Sequence, residues 1–216
     1  MKDFVKQNRL FLILYLLFLV IGGIILARFE KGDEILYFNQ LHTSTFDFIF
    51  TYFTQLAEAP AIIFLVIMLS AYRLGNGLLL GINALLVLLA TAFLKQVVFA
   101  SQVRPSVFFE GKQQLNFVQG LPILHQHSFP SGHTAGAFAM FFLISLMLTD
   151  KRWSFACFIL ALGVGVSRVY LLQHFFRDVY FGSLVAVVVT SIFWLTFVQS
   201  RFYANIGWKD KGLFNR

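Results

Sequence analysis

Charge is what this chain has least of. Only 12% of its 216 residues are Asp, Glu, Lys or Arg, and 58% are hydrophobic. A soluble domain carries roughly 25% charged residues, so a soluble globular class is excluded and an integral membrane protein is expected. Cysteine is nearly absent. Cys157 stands alone inside an apolar run, which rules out an intrachain disulfide and a cysteine metal cluster. Internal repeats and low-complexity segments are also missing. Acidic residues number 10 against 17 basic ones, for a net charge of +7, but the basic residues form no solvated block. They punctuate apolar runs, as flanks facing anionic lipid headgroups do. Membrane lipids are therefore the expected partners, and nucleic acid is not.

What is present is a series of apolar runs. Residues 11–27 follow Lys2, Lys6 and Arg9 without a charge, long enough to approach a bilayer crossing. A secretory signal has a shorter apolar core, and Ile25-Leu26-Ala27 is a poor cleavage site, so a retained first helix is expected. Residues 28–58 are mixed. Phe46, Ile49, Phe50 and Phe53 recur there at helical spacing, which reads as an amphipathic helix in the membrane interface with an aromatic packing stripe. Further runs cover residues 60–72, 78–94, 134–148, 153–166 and 179–198, and Leu74-Gly75-Asn76-Gly77 reads as a turn between two of them. The expected architecture is all-α: one membrane-embedded domain over residues 1–216, with its core at 60–199, six transmembrane helices, and the interfacial segment at 28–58.

Six crossings put both termini on one side. If that side is the cytoplasm, ten basic residues lie inside and seven outside, accounting for all 17. Setting aside three outside residues wanted for chemistry leaves ten against four, which favours cytoplasmic termini. The expected location is a bacterial inner (plasma) membrane.

Against this apolar background stands Ser167-Arg168-Val169-Tyr170-Leu171-Leu172-Gln173-His174-Phe175-Phe176-Arg177-Asp178. Polar side chains between membrane spans are costly and mark function. On a helix, His174 and Asp178 share a face, so the carboxylate can orient the imidazole and fix its tautomer. Arg168 offers a planar cationic fork suited to an oxyanion. The six-helix layout brings two more segments to the same membrane face: Lys95 with Arg104-Pro105, and Pro130-Ser131-Gly132-His133.

These parts fit phosphoryl transfer, which needs charge neutralisation and in-line attack. Lys95, Arg104 and Arg168 neutralise a phosphate. Ser131 and Gly132 open a helix, whose free N–H groups and dipole favour an anion. His174 attacks phosphorus, Asp178 holds its other ring nitrogen, and His133 serves as acid and then base. The side chains supply the cations, so neither metal nor cofactor is expected.

The SGH at 131–133 and the S-R-x5-H-x3-D at 167–178 resemble the second and third signatures of the type 2 phosphatidic acid phosphatase superfamily. That superfamily spans membrane lipid phosphatases and soluble vanadium haloperoxidases. Its first signature is K-x6-R-P; here eight residues separate Lys95 from Arg104, a departure that concerns Lys95. The resemblance implies the same roles: His174 nucleophile, His133 acid/base, Asp178 orienting, and Lys95, Arg104, Ser131, Gly132 and Arg168 binding phosphate. It implies an outward-facing hydrolase of lipid phosphates or pyrophosphates such as undecaprenyl pyrophosphate, phosphatidic acid, phosphatidylglycerol phosphate or the phosphates of lipid A. A phosphotransferase using the same phosphohistidine, a vanadium haloperoxidase and a non-catalytic lipid-binding or transport protein are the competing readings. His125 and His127 form an H-x-H pair too small for a metal site. His42 reads as an interfacial residue, and Lys112 and Arg177 as headgroup contacts or interface anchors.

Overall fold

The computed structural model describes residues 2–213; Arg216 of the basic tail lies outside them. Among the described residues the chain is all-helical. A short α1 (Lys2–Gln7) leads into α2 (Arg9–Arg28), followed by α3 (Asp33–Gln40), α4 (Ser44–Gln55) and α5 (Ala59–Tyr72). Next come α6 (Leu74–Phe93), which runs on as a π turn (Leu94–Val98), and α7 (Pro105–Phe108). The bundle is completed by α8 (Gly132–Met147), α9 (Ser154–Tyr170) and α10 (Phe176–Phe193), with a short α11 (Arg201–Ala204) after it.

Four helical stretches are long and apolar enough to cross a membrane: Arg9–Arg28, Leu74–Val98, Lys151–Tyr170 and Phe176–Val198. The pair α4 and α5, bent by 53° at its break, makes a fifth if taken as one span. This is fewer than the six expected. The shortfall falls on α5, whose 14 residues reach a crossing only together with α4, and on α8, whose 16 residues extend about 24 Å at 1.5 Å each, less than the ~30 Å of a hydrocarbon core. The outward faces of the longer helices are apolar: Ile13, Leu16, Leu17 and Ile24 on α2, Ile63 and Phe64 on α5, Leu88 and Leu89 on α6 are all exposed. Burying such a belt requires lipid, so the protein is integral to a membrane.

Two local expectations are corrected. Residues 28–58 hold α3 in addition to the helix expected around Phe46–Phe53, which is α4; the chain breaks between them at Leu41–Thr43, where the Thr43 hydroxyl caps α4. The stretch Leu74–Gly77 is helical, and the reversal before it is a single extended residue, Arg73. Its glycines serve close packing: a Cβ on Gly77 would sit 1.8 Å from Ser70 Oγ, and Gly75 N donates to Lys209 O at 2.8 Å. The glycine pair thus reads like a turn but clamps α6 against α5 and the C-terminal tail.

The core centres on α8, from Thr134 to Leu146 almost wholly buried. Phe142 stacks on Phe11 of α2 with centroids 4.7 Å apart. Asn83 on α6 donates to Ala139 O and to Thr190 Oγ1, both at 3.1 Å, tying α6, α8 and α10 together where water is absent. At one end of α8, Lys151 Nζ donates to Ser145 O at 2.8 Å, Leu146 O at 3.0 Å and Asn8 Oδ1 at 3.1 Å. A cation there satisfies carbonyls that a helix C-terminus leaves without partners. The polar residues of interest gather at the opposite end.

Candidate active site

The long connection from Phe99 to Pro130 folds over the start of α8. It holds itself by backbone pairs: Arg104 N donates to His125 O at 2.9 Å, and Ser128 N to Gln102 O at 2.9 Å. Ser131 is the N-cap of α8, its Oγ accepting from Thr134 N at 3.4 Å and from Thr134 Oγ1 at 3.0 Å. The N–H groups of Gly132 and His133, first in the helix, are of the kind that an anion satisfies.

On the other side, α9 ends at Tyr170 and the chain turns through Leu172, whose φ of 55° lies in the left-handed region. A non-glycine residue there costs about 1–3 kcal/mol and persists only where its surroundings fix it. Here Leu172 is buried, and the Arg168 carbonyl accepts from both Gln173 N (3.0 Å) and His174 N (3.1 Å). The turn delivers His174, 1% exposed, directly before α10. The i,i+4 pair therefore does not share a helix: His174 precedes α10, and Asp178 is its third residue. His174 Nδ1 lies 3.5 Å from Asp178 Oδ2, a charge–dipole contact rather than a formed hydrogen bond. Asp178 is fixed by other donors: Ser128 Oγ at 2.5 Å and Phe175 N at 3.1 Å, both to Oδ2. Its carbonyl accepts from Ser131 N at 2.9 Å, so one residue links the start of α10 to the start of α8.

The remaining ring nitrogen, His174 Nε2, is 3.2 Å from Arg104 Nη1. Arg104 is buried and anchored by Gln126 O (2.9 Å) and Gln173 O (2.8 Å). Arg168, also buried, donates to Thr54 Oγ1 of α4 at 2.7 Å, leaving its Nε without an acceptor in the protein. Lys95 reaches the same hollow despite its longer spacing: its Nζ lies 3.9 Å from the point a Cβ on Gly132 would occupy. The π turn at Leu94–Val98, with Phe99 N donating to Leu94 O, takes up an extra residue before the chain enters the connection. Burial holds the His174 imidazole well below its ordinary pKa. The charges of Arg104, Arg168 and Lys95, and His133 beside them, act in the same direction. Arg104 Nη1 can only donate, so the Nε2 facing it presents a lone pair and the ring proton lies on Nδ1, on the side of the carboxylate.

All eight residues singled out in the sequence lie at this end of the bundle. His133 lines an apolar cleft of about 680 Å³ with Glu58, Ile62, Leu85, Leu88 and Gly136. His127 is spent on the loop, its Nδ1 3.4 Å from Lys95 O. Arg177 bonds Gln102 and lies 3.5 Å from Asp178 Oδ1, so it supports the loop and the carboxylate. Among the described residues no group of three or more His, Cys, Asp or Glu side chains could hold a metal ion. Three contributors were not legible in the sequence. Ser128 gave only the faint signal of a polar residue just before SGH, and Thr54 gave none. Gly182 is the third: a Cβ there would lie 2.6 Å from Ser131 O. Gly182→Ala is therefore expected to displace Ser131 and to lower kcat/KM by about tenfold to a hundredfold. Unchanged kcat/KM in a folded variant would show that this close approach is dispensable.

A histidine beside a carboxylate, with two arginines and a lysine gathered at the same end of an apolar bundle, marks a membrane-embedded helical protein with its ionisable side chains concentrated at one end. The chain belongs to the PAP2 superfamily, which its residues 62–202 match. Its fold is similar to that of LpxE from Aquifex aeolicus, with a TM-score of 0.67 at 27% identity over 77% of this chain and 96% of that one. It is also similar to a transmembrane PAP2-type phosphatidylglycerolphosphate phosphatase from Bacillus subtilis, with a TM-score of 0.52 over 94% of this chain and 100% of that one. At 22% identity the second likeness speaks for the fold alone. Among curated protein sequences none matches.

Proposed function

We propose that the protein hydrolyses a membrane lipid phosphate or pyrophosphate through a phosphohistidine, without a metal, on the outer face of a bacterial plasma membrane. The observation that carries this reading is His174 itself, with Nε2 at 3.2 Å from an anchored arginine and Nδ1 directed at Asp178. Nε2 attacks phosphorus while Lys95, Arg104, Arg168 and the first N–H groups of α8 neutralise the phosphoryl oxygens. The bond from phosphorus to the lipid oxygen breaks, and His133 gives that oxygen a proton. A water then attacks, His133 takes its proton, the P–N bond breaks, and inorganic phosphate leaves. The apolar cleft running up to His133 suits a lipid tail, and its shape is where selectivity among undecaprenyl pyrophosphate, phosphatidic acid, phosphatidylglycerol phosphate and lipid A phosphates would arise. In this reading α8 is a sixth crossing, short because its first turn starts at the phosphate rather than at the membrane surface, and the termini are cytoplasmic.

The expected result is phosphate release by detergent-purified protein from one or more lipids of such a panel, inhibited by vanadate and unaffected by EDTA. Activity lost in EDTA and restored by magnesium would overturn the metal-free mechanism. Label passed to a lipid acceptor in place of water would make the protein a phosphotransferase.

A further inference from the structure

A second cavity, of about 550 Å³, lies where the end of α2 and the starts of α3 and α10 meet. It shares no lining residue with the cleft that reaches His133. Its apolar wall includes Ile25, Leu26 and Phe176, and its rim carries charges of both signs. A smaller apolar cavity of about 320 Å³ adjoins it, since Ile25 and Phe176 line both. This one follows α2 from Ile25 back to Leu14, with Phe158 and Leu162 of α9 on its other side. Over that stretch α2 rises about 16 Å at 1.5 Å per residue, roughly half of a ~30 Å hydrocarbon core and so the depth of one leaflet. Leu17 and Ile21 on its edge are exposed to lipid, so the groove opens to the bilayer along its length.

The rim has two cations and three carboxylates. Lys31 Nζ rests on the rings of Phe108 and Phe175, 4.7 and 4.3 Å from their centroids, and among the described residues it joins no ion pair. Burial, and then the charge of Arg177, hold this ammonium below its ordinary pKa, so the two cations are near enough to repel and an anion beside them relieves both. Of the carboxylates, Glu34 is already used: its Oε1 accepts from Phe176 N at 2.9 Å and its Oε2 from Gly32 N at 3.1 Å. Asp33 accepts from Glu30 N through Oδ2 at 2.9 Å, which leaves Oδ1. Asp33 and Glu30 are both exposed. The rim therefore offers a place for an anion and, next to it, acceptors for a donor that carries positive charge.

We propose that these joined cavities are a binding site for a zwitterionic phospholipid with a primary ammonium, separate from the catalytic cleft. One acyl chain lies in the groove between α2 and α9, the phosphodiester meets Lys31 and Arg177, and the ammonium meets Glu30 and Asp33. The shape and the charges select this occupant together. A soluble phosphate leaves the leaflet-deep groove empty. A purely anionic lipid satisfies the cations but brings no donor to the carboxylates, and a choline headgroup carries charge without an N–H. Phosphatidylethanolamine has all three parts. Bound there, it ties the end of α2 to the start of α10, where Arg177 stands 3.5 Å from Asp178 Oδ1.

The test takes the full chain in detergent, stripped of lipid, and titrates it with phosphatidylethanolamine, phosphatidylcholine or phosphatidylglycerol. Native mass spectrometry counts the bound lipid, and thermal unfolding is followed alongside. One phosphatidylethanolamine per chain is expected, bound about tenfold or more tightly than the other two, with Tm raised by a few degrees. Lys31→Gln, which removes a cation, and Ile25→Trp, which fills the junction of the two cavities, are each expected to weaken that binding about tenfold. Leu88→Trp, in the cleft that reaches His133, is expected to leave it unchanged. Equal affinity for the three lipids, or tighter binding of either of the others, would overturn the proposal. So would an adduct lost in Leu88→Trp and kept in Lys31→Gln and Ile25→Trp, which would put the lipid in the catalytic cleft. If Ile25→Trp fails to fold, Lys31→Gln decides alone. Binding is read without turnover, so the outcome stands whether or not the protein releases phosphate.

Discussion

His174→Ala is expected to lower lipid phosphate hydrolysis by roughly 10⁴–10⁶-fold, the range seen when a covalent nucleophile is removed. The reason is positional. His174 Nε2 stands 3.2 Å from Arg104 Nη1, beside the α8 N-terminus, and water lacks the prepaid orientation of a fixed imidazole. The variant is expected to keep its fold. A buried neutral ring is lost from among cations, and Gln173 O and Gln126 O still anchor Arg104. Phosphate release should be measured with size-exclusion elution and thermal unfolding alongside. His174→Asn, which fills more of the space, provides a second variant if the cavity proves disruptive. A folded variant within tenfold of wild type would remove His174 from the nucleophile's place.

Asp178→Asn is the second. The amide keeps the carboxylate's size, and its oxygen can still accept from Ser128 Oγ and Phe175 N, so the start of α10 survives. What it loses is the charge that draws the Nδ1 proton and stabilises the ring as positive charge develops on bond formation to phosphorus. A carboxylate orienting a catalytic histidine is worth about 10²–10⁴-fold in kcat, and that loss is expected here with a smaller change in KM. Nδ1 stands 3.5 Å from Asp178 Oδ2 in this structure, and such contacts commonly tighten only when substrate is bound. In a His174→Ala background the same substitution is expected to cost nothing further, because the two act as a unit. A single Asp178→Asn variant with wild-type kcat would show that the carboxylate is structural, serving only Ser128 and the α10 cap.

The residues proposed for the site stand out in the chain because ionisable side chains are costly in a membrane and are kept where chemistry needs them. His174, Asp178, Arg168, His133 and Arg104 stand out for that reason. The reach of Lys95 could not be read in the same way, since Lys95 lies in a π turn that residue counting does not reveal. His42 was read as interfacial because a lone histidine in an aromatic segment carries no pattern. Its partners, Asp47 and the Tyr170 carbonyl, are five and 128 residues away and meet it only once α4 lies along α9.

The sequence alone determined that this protein lives in a membrane, is helical, and concentrates an imidazole, a carboxylate and three cations in segments that end on one face. Those conclusions follow from local composition and period, which each segment carries by itself. Tertiary structure decided the rest. It placed His174 ahead of α10 rather than on it, passed the orientation of Asp178 to Ser128, and made Gly182 the point where Ser131 can approach. It also shortened α8 to 16 residues and set Thr54 of α4 against the Arg168 guanidinium. Each of these is a contact between residues far apart in the chain, fixed by packing and hydrogen-bond satisfaction in an interior that water does not reach.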